Sequence, residues 1–384
     1  MKRLWLMLTA AVAAAMLTPL HAQAAELTVA GKSSVLMDVS TGTLLQEQNA
    51  HERLAPASVT KVMTMLLIME AVDSGQISMT DMVTASEAAA AKGGSQIYLK
   101  VGETMSVSDM LKSIAVSSAN DCACAMAEHL AGSEEAFVAK MNSRAKELGM
   151  NDTTFVNCTG LDDGENAQNH RTSAYDIALM SRELLKNHPQ IKKFTTIWMD
   201  SVRNGTFGLS NTNKLIRFYP GATGLKTGFT SGAGYCLSAT AQREGMELIA
   251  VVMGAETSAI RNAACKQLLD YGFANYALFS PELTETRDVP VRLGKAAGVS
   301  VRLGQSEGVL VEKAQKNAIT SELTLEETLT APVSQGQRLG TLTVCANGQV
   351  LKELPLVAGE TVERLTFRDL FGRVLGKMAA AKNI

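Results

Sequence analysis

The sequence predicts an α/β (α+β) protein in which a central antiparallel sheet is flanked by helices. A small all-β domain and an amphipathic C-terminal helix complete the chain. Three observations carry this reading. Helical and strand patterns are mixed at both ends of the segment 30–275, which favours a sheet with helices packed around it. Past Ser280-Pro281 the texture changes: Val289, Val291 and Leu293, then Val299, Val301 and Leu303, alternate with polar residues at period two. Finally, Phe367, Leu370, Phe371, Val374, Leu375 and Met378 recur at helical spacing and form one apolar stripe.

In chain order, Lys2 and Arg3 precede an uncharged apolar run from Leu4 to Thr18, and Ala22-Gln23-Ala24 supplies small residues for cleavage. That is the pattern of a secretory signal peptide over residues 1–24, and the run is too short for a good membrane-spanning helix. Val35 to Leu45 reads as a hairpin around Gly42. A helix starts near Pro56, a residue pre-organised for a first helical position, and continues through Val62 to Val72. Helical patterning resumes from Val107 to Leu148, and residues 151–170, rich in Asn, Asp, Gly and Thr, form a long loop. Tyr175 to Leu185 is helical. Tyr235–Thr240 and Glu247–Met253 are neighbouring antiparallel strands joined at Glu244-Gly245, and Ala259 to Tyr271 is a last helix. Asn347-Gly348, between two short apolar runs, marks a hairpin of the all-β domain. The expected boundaries are 1–24 leader, 25–280 catalytic domain, 281–360 all-β domain and 361–384 amphipathic helix.

Composition excludes several classes. The chain of 384 residues is 46% hydrophobic, too apolar for disorder. Six cysteines in that length do not make a disulfide scaffold; they are expected to be buried free thiols, although an exported chain permits disulfides. The net charge of −2 provides no global basic field for nucleic acid. Removal of Lys2 and Arg3 with the leader makes it −4, whereas residues 363–384 carry five basic and two acidic side chains, +3. A basic amphipathic helix suits an anionic membrane interface; the alternative is a helix docked on its own domain.

Chemistry points to a serine and a lysine. The chain has no HExxH, and its histidines are scattered, so a metal site or a Ser-His pair has little to build on. Ser58-Val59-Thr60-Lys61 places Ser58 and Lys61 on one helix face. A desolvated lysine can serve as base, and a first-turn serine has unpaired backbone N–H groups beside it for an oxyanion. Ser143-Arg144-Ala145-Lys146 has the same spacing but reads as a solvated mid-helix face. Ser118-Ala119-Asn120 and Lys226-Thr227-Gly228 each occur once. Ser118 could relay a proton, and the Asn120 amide could hold a substrate carbonyl. Lys226 could supply a fixed cation, and Gly228 lets a substrate backbone approach. Thr227 and Thr230 add hydroxyls suited to a carboxylate. Together they describe a Ser/Lys acyl-transfer site for a substrate ending in a free carboxylate.

The set S-x-x-K, S-x-N and K-T-G resembles that of penicillin-recognising serine enzymes. The chain is similar to the low-molecular-mass penicillin-binding proteins that are D-alanyl-D-alanine carboxypeptidases. The similarity runs through Pro56–Lys61, Ser118–Asp121, Gly224–Thr230, Ala233–Cys236 and Leu268–Phe273. It implies a penicillin-binding or β-lactamase-like serine transpeptidase domain and no cofactor or metal. Ser58, deprotonated by Lys61, would attack the bond between the last two D-alanines of a peptidoglycan stem peptide. The backbone N–H groups of Ser58 and Phe229 would form the oxyanion hole, and Ser118 and Asn120 would complete the catalytic set. Lys226, Thr227, Gly228 and Thr230 would bind substrate. β-Lactams would inhibit by acylating Ser58. The implied location is the outer face of the bacterial cytoplasmic membrane, peripherally anchored.

Two rivals remain. A class A β-lactamase adds a deacylating Glu in E-x-x-L-N, which Glu165-Asn166-Ala167-Gln168-Asn169 misses by one residue. A non-catalytic penicillin sensor or scaffold would carry spanning helices or lack a motif residue.

Overall fold

Alternation at period two sorts the first strand onto both faces of a sheet. In β1 (Ser33–Asp38), Val35 and Met37 face one core while Leu36 faces another. A computed structural model describes residues 27–372 except 163, 165, 284–287 and 305–307. The expected leader, Glu165 and the distal stripe residues Val374, Leu375 and Met378 lie outside the described residues.

The expected first hairpin forms from β1 and β2 (Leu44–Gln48). Three long strands, β3 (Ala222–Thr230), β4 (Gly234–Arg243) and β5 (Met246–Ala255), complete a five-stranded sheet in the order β2-β1-β5-β4-β3. Every pairing in it is antiparallel. In β5, Ile249, Val251 and Met253 join the core of Val35, while Leu248, Ala250 and Val252 join that of Leu36. β3 is one of the two edge strands, so its outer side is left for other partners.

Helices cover both faces. On one lie α1 (Lys61–Asp73), α2 (Val107–Ser117), α3 (Asn120–Ala131), α4 (Glu134–Glu147) and α5 (Ala174–Asn187). On the other lies α6 (Ser258–Asn275), through Cys265, Leu268, Leu269 and Phe273. The single helical stretch expected from Val107 to Leu148 is three helices. Ser118 terminates α2 in the left-handed region at φ 63°, and Gly132 terminates α3 at φ 83°. Ser106, Ser133, Ser173 and Thr257 cap α2, α4, α5 and α6 by accepting a backbone N–H three residues on. Ser143 and Lys146 are exposed on α4, as a solvated face requires.

The all-β region contains a six-stranded sheet of β6 (Asp288–Arg292), β7 (Gly298–Leu303), β8 (Ile319–Leu325), β9 (Leu329–Thr330), β10 (Arg338–Ala346) and β11 (Gln349–Ala358). Their order is β8-β10-β11-β7-β6-β9. Asn347-Gly348 makes the expected β10–β11 turn, with φ 50° and 77°. Val289, Val291 and Val299 are buried as their alternation requires, but Leu293 is exposed with φ 58° because it lies just past the end of β6. The described start of the C-terminal stripe is helical from 367, with Phe367, Leu370 and Phe371 exposed.

All six cysteines are free, five of them buried and Cys345 half-buried. A thiol titration of the native protein is therefore expected to detect reaction at Cys345 alone, with the other five reacting only in denaturant. Rapid native reaction of more than one thiol would contradict this packing.

Candidate active site

The chain enters the site through Pro56 and makes a 3₁₀ turn, Ala57–Thr60, before α1 begins at Lys61. Ser58 thus lies one turn ahead of the α-helix rather than in its first turn, which differs from the sequence expectation. The turn is tight enough to put Ala57 in the left-handed region at φ 48°, a conformation that costs a residue with a Cβ about 1 kcal/mol or more. Its geometry brings Lys61 Nζ to 2.9 Å from Ser58 Oγ.

Lys61 is fully buried. Its amine donates to the Thr159 carbonyl at 2.8 Å. Burial disfavours the ammonium and pulls the lysine down to about 7, against smaller opposing effects of Cys158 and Asp121. At neutral pH a large fraction of Lys61 is therefore a free amine. A neutral amine can donate to Thr159 and still present its lone pair to the Ser58 hydroxyl.

Thr159 sits in a loop that has little regular structure and many side-chain bonds. Asn157 Oδ1 accepts from the backbone N–H of Thr159 and of Gly160, at 3.1 and 2.6 Å, and its Nδ2 donates to the Leu161 carbonyl at 2.9 Å. The Thr64 hydroxyl donates to the Cys158 carbonyl at 2.7 Å. Gly160 has φ 81°, and a Cβ there would stand 1.8 Å from the Ala57 carbonyl oxygen, so only glycine lets this loop lie against the Ser58 turn.

The second motif lies at the α2–α3 break. Ser118 and Asn120 are buried. Asn120 Nδ2 donates to the Gly93 carbonyl at 2.7 Å, which leaves its buried Oδ1 without a partner. The amide therefore offers an acceptor to an incoming ligand. Asp121 anchors the loop above it, its carboxylate accepting from the backbone N–H of Ile97 and Leu99.

The third motif lies on edge strand β3. A Cβ on Gly228 would meet the Pro56 carbonyl oxygen at 2.7 Å and the Ser58 nitrogen at 3.1 Å, so the bare glycine lets the strand pack against the Ser58 turn. Thr227 Oγ1 donates to Thr212 Oγ1 at 2.7 Å, and the Thr212 N–H donates to the Val116 carbonyl at 3.1 Å. Thr212 thereby ties β3 to the end of α2, two residues before Ser118. Phe229 projects outward and stacks on Tyr235, ring centroids 4.2 Å apart. Thr230 Oγ1 accepts from the Ala233 N–H at 3.1 Å and shapes the β3–β4 turn.

Lys226 is buried, and its amine donates only to the neighbouring Thr227 carbonyl, at 2.9 Å. Burial, with the charges of Lys61 and Arg261, holds it well below the ordinary lysine range. Arg261, which no sequence pattern singles out, is buried on α6 with its guanidinium on Asn262 Oδ1 and the Cys236 carbonyl. Neither of these basic side chains has a carboxylate partner among the described residues. A ligand carboxylate arriving at Lys226 would favour its ammonium form in a water-poor environment, with the charge of Arg261 acting on the same lysine.

One group outside these motifs has metal-like spacing: Glu70, Glu183 and His188 bring ligand atoms within 4.8 Å of one another. Arg144 already lies between the carboxylates, donating to Glu70 at 2.7 Å and to Glu183 at 2.6 Å. An ion there would have to displace the guanidinium.

Gly228→Ala is expected to push β3 away from the Ser58 turn and slow covalent labelling by penicillin about tenfold or more, with the protein still folded. The rate of covalent adduct formation with a labelled penicillin checks it; an unchanged rate would mean that the strand tolerates the methyl.

Comparisons with known proteins agree with this architecture. The family profile described as D-alanyl-D-alanine carboxypeptidase matches residues 20–257, and that of the C-terminal domain of penicillin-binding protein 5 matches residues 281–364. The chain is 44% identical over 358 residues to the D-alanyl-D-alanine carboxypeptidase DacF of Bacillus subtilis, covering 91% of this chain and 90% of that one. It is 36% identical to DacC of Escherichia coli, covering 90% and 87%. Among solved structures, penicillin-binding protein 5 of Haemophilus influenzae superposes with a TM-score of 0.75 at 30% identity, covering 88% of this chain and 99% of that one. A Ser/Lys pair, a buried acceptor amide and a cationic strand edge thus stand on a fold shared with these enzymes, and the chain belongs to the D-alanyl-D-alanine carboxypeptidase family.

Proposed function

We propose that this serine-type D-alanyl-D-alanine carboxypeptidase uses Ser58 as its nucleophile and Lys61 as its base. The observation that carries the assignment is the buried amine of Lys61, 2.9 Å from Ser58 Oγ and depressed to about 7. The substrate is a peptidoglycan stem peptide ending in D-Ala-D-Ala. Lys61 Nζ takes the hydroxyl proton as Ser58 Oγ attacks the carbonyl carbon between the two D-alanines. The backbone N–H groups of Ser58 and Phe229 receive the oxyanion. Asn120 Oδ1 accepts from a substrate amide, a role the free acceptor suits better than the carbonyl-holding role expected from sequence. Lys226 binds the terminal carboxylate, with Thr227, Gly228 and Thr230 shaping that end of the cleft. The departing amine takes a proton through Ser118, the C–N bond breaks, and D-alanine leaves. Water then attacks the ester, regenerating the Ser58 hydroxyl.

β-Lactams enter as inhibitors by the same acylation. In support, penicillin-binding protein D2 of Listeria monocytogenes, 33% identical with a TM-score of 0.59, has been solved with ampicillin bound.

We place the chain at the cell envelope as an exported, peripheral protein, cleaved after residue 24 and divided into a catalytic domain 25–280, an all-β domain 281–360 and a membrane-associating helix 361–384. No helix among the described residues is long and apolar enough to cross a membrane. Phe367 and Phe371, stacked at 6.3 Å and exposed, begin an apolar face with Arg368 beside it, the pattern of a helix lying in an anionic interface.

Turnover of a D-Ala-D-Ala peptide tests the chemistry. The rate of D-alanine release is expected to rise with pH as Lys61 loses its proton near pH 7, and to level off above. Ser58→Ala abolishes release and penicillin labelling alike. A profile flat across neutrality would remove Lys61 as base, and labelled Ser58→Ala would move the nucleophile elsewhere. The full chain is also expected to sediment with anionic lipid vesicles at low salt and to be released as salt rises. Phe371→Asp should weaken that binding, and equal binding by the variant would place the contact elsewhere.

A further inference from the structure

His170 belongs to none of the motifs, yet it is buried between two of the segments that build the site. Its Nε2 lies 2.8 Å from the Thr60 hydroxyl, and the Val156 backbone N–H donates to its Nδ1 at 3.2 Å. The Thr60 hydroxyl spends its own proton on the Ala57 carbonyl at 2.8 Å. Thr60 Oγ1 must therefore accept from His170, which puts the imidazole proton on Nε2 and leaves Nδ1 as the acceptor that Val156 requires. Every bond in the chain Val156 N–H, His170, Thr60, Ala57 carbonyl has one direction, and a neutral ring satisfies all of them.

The two ends of this chain lie in the two segments that carry and hold the reacting pair. Ala57 and Thr60 bracket Ser58 in its 3₁₀ turn, and the left-handed Ala57 is the strained residue of that turn. Val156 lies three residues before Thr159, whose carbonyl holds Lys61 Nζ. We propose that His170 is a positioning residue for acylation, cross-linking the turn that presents Ser58 to the loop that grips Lys61. The inference rests on Ser58 and Lys61 as nucleophile and base. The imidazole touches neither of them and transfers no proton in the reaction.

Its surroundings fit that task. Burial first, then the charges of Arg171 and Lys61, bring His170 down to about 4, so the ring stays neutral wherever Lys61 can act as base. The Phe155 ring meets it edge-on at a centroid distance of 5.7 Å. Besides His170, the charged or titratable groups acting on Lys61 include Cys158, Asp121 and Lys226, none of which replaces the imidazole as a link between turn and loop.

The test compares acylation by a fluorescent penicillin, and kcat and KM on a D-Ala-D-Ala peptide, across pH. His170→Ala is expected to slow acylation roughly 10–100-fold, with kcat falling more than KM rises. The acid limb of its pH profile moves to higher pH, because a loosened loop admits water to Lys61. His170→Gln, which restores a donor toward Thr60, recovers much of the rate. Thr60→Val reproduces the loss and Thr60→Ser does not. In the double variant His170→Ala/Thr60→Val the loss stays within about twofold of the larger single loss, because both cut one chain. If His170→Ala fails to fold by circular dichroism, the two Thr60 variants and His170→Gln decide the matter. Folded variants that acylate within about twofold of wild type, or losses that multiply, overturn the inference. Ser58→Ala is read in parallel: retained labelling there would sink the nucleophile assignment, whereas lost labelling beside normal His170 variants would sink the positioning role alone.

Discussion

The interaction on which the site depends is the enclosure of Lys61 by protein rather than water. Bringing a lysine from its ordinary value to about 7 costs folding roughly 4 kcal/mol at neutral pH. The sign comes from the direction: the amine prefers to be neutral when folded, so this cost grows as pH falls toward 7 from above. The fold offsets it with the apolar packing of α1, whose Val62, Met63, Met65, Leu66, Ile68 and Met69 are all buried. A lysine at that position is tolerable only because the rest of its helix is core.

Enclosure has backbone consequences. A tight turn must carry Ser58, a loop must bring a carbonyl to the amine, and a sheet edge must approach both. Each demand appears as a conformation or approach that ordinary residues avoid: left-handed Ala57 and Ser118, and close contacts at Gly160 and Gly228. These positions cluster where the three motifs meet, while capped helices and paired strands make up the surroundings. Asn157, Asp121 and Thr212 hold the irregular pieces by bonding backbone or a partner hydroxyl.

Legibility in the sequence depends on the range of each signal. Period-two alternation in β1 and β5 and the apolar spacing of α6 are local, and they are readable. The break at Ser118 is not, because Ile114 to Met126 around it is mostly small and apolar and no Gly or Pro marks that interruption. Ser58 and Lys61 are legible as neighbours because three residues on a helical turn fix their proximity. Ser118, Asn120 and Lys226 are legible only as motif members, since nothing local states that such distant stretches of chain come to the same place. Thr159 is invisible because a carbonyl carries no residue type. His170 and Arg261 escape for a related reason: each bonds a residue far along the chain, Thr60 at 110 residues and Cys236 at 25, and neither sits in a recurring pattern.

The cationic end of the cleft bears on how the enzyme empties after each turnover. Lys226 and Arg261 are buried without a carboxylate partner among the described residues, and burial makes the Lys226 ammonium costly until an anion arrives. A peptide with a free C-terminal carboxylate supplies that anion, whereas an amidated one does not. The reaction, however, converts one carboxylate-bearing molecule into two, because both free D-alanine and the shortened peptide end in a carboxylate. With Lys226 as the proposed carboxylate site, the charge deficit that draws the substrate in attracts both products as well. Departure works against the same electrostatics that fill the cleft, so crowding by spent peptides would throttle the cycle at that step.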